Sequence, residues 1–463
     1  MKNQVVFGFV TFVCCVLIFF GQSDPICAQS FSEKTWKVTF QTGRFGPVES
    51  VLAFEKRDNG FYIHSVSVTP AVIKKFPRTQ TPKVTIGDHL LAFTVTSTSE
   101  GYQGEMKSPW VSGKIFLKPT DDGFTGKIEG GPLSGKMTGV SYESPNKSLR
   151  DYPAILKSFL NVVETRVYAP KALKDPAWKQ LTNDLTSVAS IALDDMDLVL
   201  GFHFAYDNKP FSHLTFSRGR GPAKELIASL DQYRVGGTPV SIKVVDNIAL
   251  LRVETMLGID TEEQIEDAFH QIADQSAKAL IIDVRGNGGG AFAIKPLIQH
   301  VIDTPLDAGY FLTHKWNLGQ DRLPTKPELL KVTPWKGFSL KSWWENIQTE
   351  GIIRIRFEPD QLNFNGPVYL LIDSQSASAT ELAADVLSTS GVVTLVGERT
   401  GGKMLSQSPF DVSDGFQVFV PVADYYSLAT GRIEGVGVKP HVEVKSPDAL
   451  DTAMNLARKA IVK

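Results

Sequence analysis

The chain has 463 residues, 48 Lys+Arg against 50 Asp+Glu, and a formal net charge of −2. That length suits two or three domains with cores of their own, and 42% hydrophobic with 21% charged residues excludes wholesale disorder. Near-neutral charge without a long run of Lys or Arg excludes the electrostatic footprint of a nucleic-acid binder, so protein, peptide, sugar or small molecule remains as the partner class.

Residues 1–28 read as a secretory signal peptide. Lys2 precedes an apolar run over 5–21, and Ile26-Cys27-Ala28 ends the segment at a small residue, which predicts cleavage after Ala28. The mature chain is then exported, periplasmic or extracellular, and membrane-attached only if the segment is retained. The run falls short of the ~20 residues that span a bilayer. A lipoprotein signal is disfavoured, because Val13, Cys14 and Ile26 precede the three cysteines instead of a small residue. Cys14, Cys15 and Cys27 all lie in this leader, so the mature chain is expected to hold neither a disulfide nor a thiol nucleophile.

Over 29–145, short alternating runs at 36–40, 60–64, 90–95 and 115–117, separated by Gly, Asn and Asp, predict an all-β accessory domain, a barrel or a sandwich. It reads either as a binding module or as a spacer packed on its neighbour. Ser, Pro and Asn around 142–147 mark a boundary. From 146 to 240 the period is helical, with Tyr152, Ile155, Leu156, Phe159 and Leu160 on one face, and a helical subdomain is expected.

From 241 to 463 the pattern is α/β. A strand is predicted over 244–253, then a helix opened by Thr261-Glu262-Glu263-Gln264 as a capping box, with Ile265, Ala268, Phe269 and Ile272 inward. The buried strand 279–284 runs into Gly286-Asn287-Gly288-Gly289-Gly290. Strand, helix and strand in this order imply a right-handed parallel crossover. Strand 368–372 precedes Ser374-Gln375-Ser376-Ala377-Ser378-Ala379-Thr380-Glu381, whose helix puts Ala379, Leu382, Ala383, Val386 and Leu387 on one face, and a further strand is expected at 392–396. Glycine loop and serine cluster thus fall at the carboxyl ends of strands, where open α/β sheets place their sites. A Trp-rich insertion around 305–360, with Trp316, Trp335, Trp343 and Trp344, reads as a lid or groove, or as packing.

Ser378 stands where a helix N-terminus offers unpaired N–H groups and a favourable dipole. Serine needs a base, and Lys403, one helix and one strand later, is a candidate if buried among apolar groups or set beside a cation. Gln407 could accept from its amine and orient it. The oxyanion would be held by the N–H of Ala379 and one from the glycine loop, Gly289 first and Gly288 next. Each feature alone has a plain structural reading, as N-cap, solvated lysine or tight bend; their order and placement favour chemistry.

These motifs, 280–290, 376–381 and 396–403, resemble those of the C-terminal processing (tail-specific) serine peptidases, over roughly 152–463. The resemblance implies a ClpP/crotonase-like α/β core, peptide-bond hydrolysis, a protein or peptide substrate, no metal and no cofactor, and the roles of Ser378, Lys403 and Gln407. Several features depart from that family: no PDZ-like insertion precedes 244, Thr389 replaces an acidic residue, and His441 replaces an Asp. Ser212-His213 resembles the Ser-His pair of the related tricorn protease, and Glu434 its glutamate, so His213 is a second candidate base. Lys403 is preferred over it. Two other functions compete: a non-catalytic binder of hydrophobic ligands or peptides on the same scaffold, and a dinucleotide enzyme, since 286–291 formally fits G-x-G-x-x-A.

Overall fold

A computed structural model of the chain describes residues 31, 34–67, 89–108, 111–131, 133–206 and 210–462. The expected leader, with all three cysteines, lies outside these residues.

In the first half, alternation gives each strand one apolar face: in Thr35–Thr42, Trp36, Val38 and Phe40 are buried and the residues between them are partly exposed. Eight such strands pair antiparallel in chain order, and Thr35–Thr42 also pairs with Gly135–Tyr142, closing a barrel and not a sandwich. Closure leaves no sheet edge. Phe31, Trp36, Phe54, Phe61, Tyr102 and Phe124 fill the interior, with neighbouring ring centroids between 5.3 and 6.1 Å apart.

The barrel docks through polar groups that would be costly to bury unpaired. Asp194 accepts from Ser50 Oγ at 2.9 Å and from the Val51 N–H at 2.8 Å. Asp197 accepts from Ser67 Oγ, and burial pushes its carboxyl up to about 6. The N–H of Arg218 donates to Phe45 O at 3.0 Å, and the Arg220 guanidinium donates to Thr42 O at 3.0 Å. The short strand Thr215–Arg218, which follows His213, is therefore gripped by the barrel on one side. On the other it pairs with the strand Phe416–Ser427.

Asp151 and Asp175 cap the helices Tyr152–Arg166 and Pro176–Ile191, accepting from the N–H groups of Ala154 and Ala177. Asp195–Ala205 is buried almost all round and lies between the barrel and the other helices.

The second half is the expected α/β core. Strands Val240–Val245, Ile248–Val253, Ala279–Asp283, Val368–Ile372, Val393–Gly397 and Val442–Glu443 form one sheet in that order, parallel except for the first. The single strand expected over 244–253 is instead part of a hairpin. Asp246 and Asn247 both have positive φ, 53° and 60°, as a two-residue turn of the hairpin hand requires. The helix expected to open at Thr261 runs Ile259–Asp274 without a side-chain cap, because Gly258 at the N-cap position has no side chain; the Asp260 carboxylate accepts from the N–H groups of Val235 and Gly236. The Trp-rich insertion folds into strands Leu306–Thr313 and Ile352–Phe357 with three helices between them, and its strands join an antiparallel sheet with Ser406–Val412 and Phe416–Ser427. Between 206 and 240 the described residues hold only Thr215–Arg218 and the helix Ala223–Leu230, with no PDZ module.

Candidate active site

The buried strands Ala279–Asp283 and Val368–Ile372 lie side by side, so the loops leaving their carboxyl ends meet. Asp373 fixes them first: its Oδ1 accepts from the N–H of Gly286 at 3.0 Å, Gln375 at 3.0 Å and Ser376 at 3.1 Å. The Ala377 N–H donates to Asn287 O at 3.1 Å. Ser378 follows with φ 58° and ψ −123°, a conformation a β-carbon resists. Its surroundings over-determine it. The Ser378 N–H faces Lys403 O at 3.0 Å and Glu381 Oε2 at 3.1 Å.

Glu381 is fully buried and gathers the next loop as well. Its carboxylate accepts from Thr400 Oγ1 at 2.6 Å and from the N–H groups of Gly402 at 2.8 Å and Lys403 at 2.7 Å. Burial pushes its carboxyl up, and these donors oppose that shift. No sequence argument singled Glu381 out beyond its place in the serine motif, although a Glu three residues into a helix is a recognised capping signal.

The two candidate bases part company here. His213 Nε2 lies 3.3 Å from Ser378 Oγ. On the other side of its ring, Nδ1 lies 2.6 Å from Ser212 Oγ, which is 3.0 Å from Glu434 Oε2. An ionised carboxylate only accepts, so the Ser212 hydroxyl spends its single proton on Glu434 and must accept from His213 Nδ1–H. That leaves the Nε2 lone pair facing Ser378. Glu434 is buried and held in turn by the N–H groups of Ser212 at 3.0 Å and Met404 at 2.6 Å. Lys403 is exposed, and among the described residues its ammonium makes no ion pair or hydrogen bond. It meets the site through its backbone. The burial that a lysine base requires is missing at Lys403 in this structure.

The candidate oxyanion donors differ in what their N–H groups do. Gly289 packs directly against the serine turn, but its N–H donates to Asn287 Oδ1 at 2.9 Å. Among the described residues the N–H groups of Gly288 and Ala379 have no acceptor, and open space lies beside Gly288. Gly288 and Ala379 are the available pair.

A cavity of about 480 Å³ adjoins these groups. His213, Ser378, Ala379 and Gly288 stand at it together with Phe292, Phe311, Trp335, Phe338, Trp343 and Trp344. Three of the insertion's four Trp therefore line it, and Trp316 packs elsewhere, against Tyr310, Leu312 and Ile352. Gln407 lines the cavity, and among the described residues it makes no hydrogen bond to the Lys403 amine. Its carbonyl accepts from Trp344 Nε1 at 2.9 Å. The departures Thr389 and His441 have structural partners: Thr389 Oγ1 donates to Val386 O, and His441 Nδ1 accepts the Leu395 N–H. Among the described residues no group of His, Cys, Asp and Glu is arranged to hold a metal ion.

Residues 247–444, which contain the glycine loop, Ser378 and Glu434, match the sequence model of Peptidase family S41. That segment of the α/β core is similar to peptidase family S41. The carboxyl-terminal-processing protease of Synechocystis sp. is 28% identical over 224 residues, 47% of this chain and 44% of the relative. The chloroplastic C-terminal processing peptidase of Tetradesmus obliquus is 26% identical over 246 residues, 50% of this chain and 45% of the relative. The chain thus spans less than half the length of either. Among solved structures, the photosystem II D1 C-terminal processing protease aligns with 67% of this chain and 98% of its own, at 17% identity and a TM-score of 0.40. His213 lies outside the matched S41 segment, and the fold brings it there.

Proposed function

We propose that this chain is an exported serine peptidase in which His213, oriented by Ser212 and Glu434, is the general base for Ser378. The observation that carries the proposal is the unbroken chain of contacts Ser378, His213, Ser212, Glu434, at 3.3, 2.6 and 3.0 Å. Ser378 Oγ attacks the carbonyl carbon of a peptide bond, His213 Nε2 takes the hydroxyl proton, and the carbonyl oxygen gains the negative charge. The N–H groups of Ala379 and Gly288 receive that oxyanion, the former with the helix dipole behind it. Collapse transfers the proton from Nε2 to the leaving amine and leaves an acyl-serine. Water, deprotonated by the same nitrogen, then releases the carboxylate product.

The test is hydrolysis of an unfolded protein or peptide library by the purified chain and by Ser378→Ala. The wild type is expected to cut and the variant to lose at least about 10⁴-fold in rate. Equal rates would reject the proposal. A wild type that binds apolar peptides tightly and cuts none would support the binding reading instead.

Export rests on residues 1–28 alone. N-terminal sequencing of the protein from its native host is expected to begin at Gln29; a retained Met1 would remove the leader from the account.

A further inference from the structure

Ser212 and His213, which carry the proton relay, lie between two buried apolar residues, Phe211 and Leu214. In a hydrogen-bonded four-residue turn, the carbonyl of the first residue accepts directly from the N–H of the fourth. Here a side chain stands between the two. The Tyr206 hydroxyl donates to Phe211 O at 2.7 Å and accepts from the Leu214 N–H at 3.0 Å. The backbone on either side of the Ser212-His213 pair is thus joined through one oxygen, which holds the two ends apart by its own width.

The conformation between those ends is one that needs support. His213 has φ 62°, in the left-handed region that a β-carbon resists. Residues of this kind persist where their surroundings over-determine them. Phe211 stacks on Trp178 with ring centroids 5.9 Å apart, and Leu214 leads into the strand Thr215–Arg218. Tyr206 ends the helix Asp195–Ala205, and its ring stacks on Phe202 at 5.2 Å. Phe202 packs in turn on Phe159 and Phe216, each at 5.7 Å, so the hydroxyl is presented from a fixed support. Burial pushes the phenol up against the opposing effect of the Leu214 N–H, and the Glu434 charge adds to the rise. The hydroxyl therefore keeps its proton and stays a donor to Phe211 O.

We infer that Tyr206 is a positioning residue for the general base: its hydroxyl sets the turn that aims His213 Nε2 at Ser378 and presents Ser212 Oγ to His213 Nδ1. The inference rests on the peptidase reading. Tyr206 does not line the cavity beside Ser378, so it acts on the base and not on the substrate. Without the hydroxyl, Phe211 O and the Leu214 N–H lose a shared partner, and the way to restore the pairing is to join them directly. That draws the two ends together and turns the residues between them. The His213 ring is then displaced from Ser378, at a contact already 3.3 Å long.

The test is Tyr206→Phe, which removes one oxygen and keeps the ring on Phe202. With a peptide that the wild type cuts, kcat is expected to fall between about 10- and 100-fold while KM stays within about threefold, as a misplaced base requires. Phe202→Leu disturbs the same stack and keeps the hydroxyl; it is expected to lower the melting temperature at least as much and to hold kcat within about threefold of wild type. Nitrogen NMR of ¹⁵N-histidine protein reads the relay itself, with His213→Ala identifying the signal. At a pH where the ring is neutral, the wild type is expected to carry its proton on Nδ1, and Tyr206→Phe to show a mixture of the two tautomers. A kcat within about twofold of wild type in Tyr206→Phe, a loss matched by Phe202→Leu, or a loss with the Nδ1–H tautomer unchanged would overturn the inference. A wild type that cuts no peptide fails the peptidase reading, and the tautomer comparison then decides the inference by itself; hydrolysis that Tyr206→Phe leaves unchanged fails the inference alone.

Discussion

His213→Ala is expected to lower kcat/KM by about 10⁴-fold or more, whereas Lys403→Ala stays within about tenfold of wild type. The asymmetry follows from what each residue gives the site. His213 places a lone pair 3.3 Å from the Ser378 hydroxyl, and removing a triad base eliminates nearly all the rate that the triad confers. Lys403 contributes an N–H to Glu381 and a carbonyl to the Ser378 N–H, both of which alanine keeps. The measurement is steady-state kinetics on one peptide, with circular dichroism to confirm that both variants fold. An inactive Lys403→Ala beside an active His213→Ala would reinstate the Ser–Lys dyad.

Gly289→Ala is expected to cost about 10³-fold in kcat, although the added group is a single methyl. A β-carbon there would lie 2.6 Å from Ala377 O, 2.7 Å from the Ser378 β-carbon and 2.9 Å from the Ala379 nitrogen, and the backbone φ is +95°. Nothing flexible is available to yield, since the opposing atoms belong to the serine turn itself. The methyl must push Ser378 and Ala379 away from His213 and from the Gly288 N–H. A displacement near 1 Å can cost ~10²-fold, and loss of one oxyanion donor ~10²–10³-fold. Stability is expected to fall by only about 1–3 kcal/mol, the range for a small overpacking. A fully folded Gly289→Ala with normal kcat would show that the turn tolerates movement and would weaken the assignment of Ala379 to the oxyanion.

The glycine loop and the serine turn were legible because their signals are local: apolar strands, then small residues that let two backbones approach. The β character of the first half was equally plain. Its closure was not, since closing the barrel depends on pairing Thr35 with Tyr142, and alternation says nothing about which strand pairs with which. The Asp246-Asn247 turn is present in the sequence, but the apolar residues on both sides of it make 244–253 look like one continuous strand. Lys403 is ambiguous in the sequence for a physical reason. A lysine after two glycines at a strand end matches a dyad motif whether its side chain or its backbone is used, and only burial distinguishes the two.

His213 shows the opposite limit. It lies 165 residues from Ser378 and outside the α/β segment, so only its likeness to a known Ser-His pair pointed to it. What places it is non-local: the strand Thr215–Arg218 lies between the barrel turn at Phe45 and the sheet strand Phe416–Ser427. Gly289 is expected ahead of Gly288 as the glycine-loop donor. The Asn287 side chain then takes its N–H, a contact that no pattern of glycines reveals.

The central claim is that Ser378 is a nucleophile activated by His213. Fluorophosphonate labelling followed by tandem mass spectrometry tests it most directly, because it reads the reactive atom without needing a natural substrate. A single adduct on Ser378 in the wild type and in Lys403→Ala, absent in Ser378→Ala and nearly absent in His213→Ala, is the predicted result. Labelling of another residue, or undiminished labelling of Ser378 in His213→Ala, would contradict it.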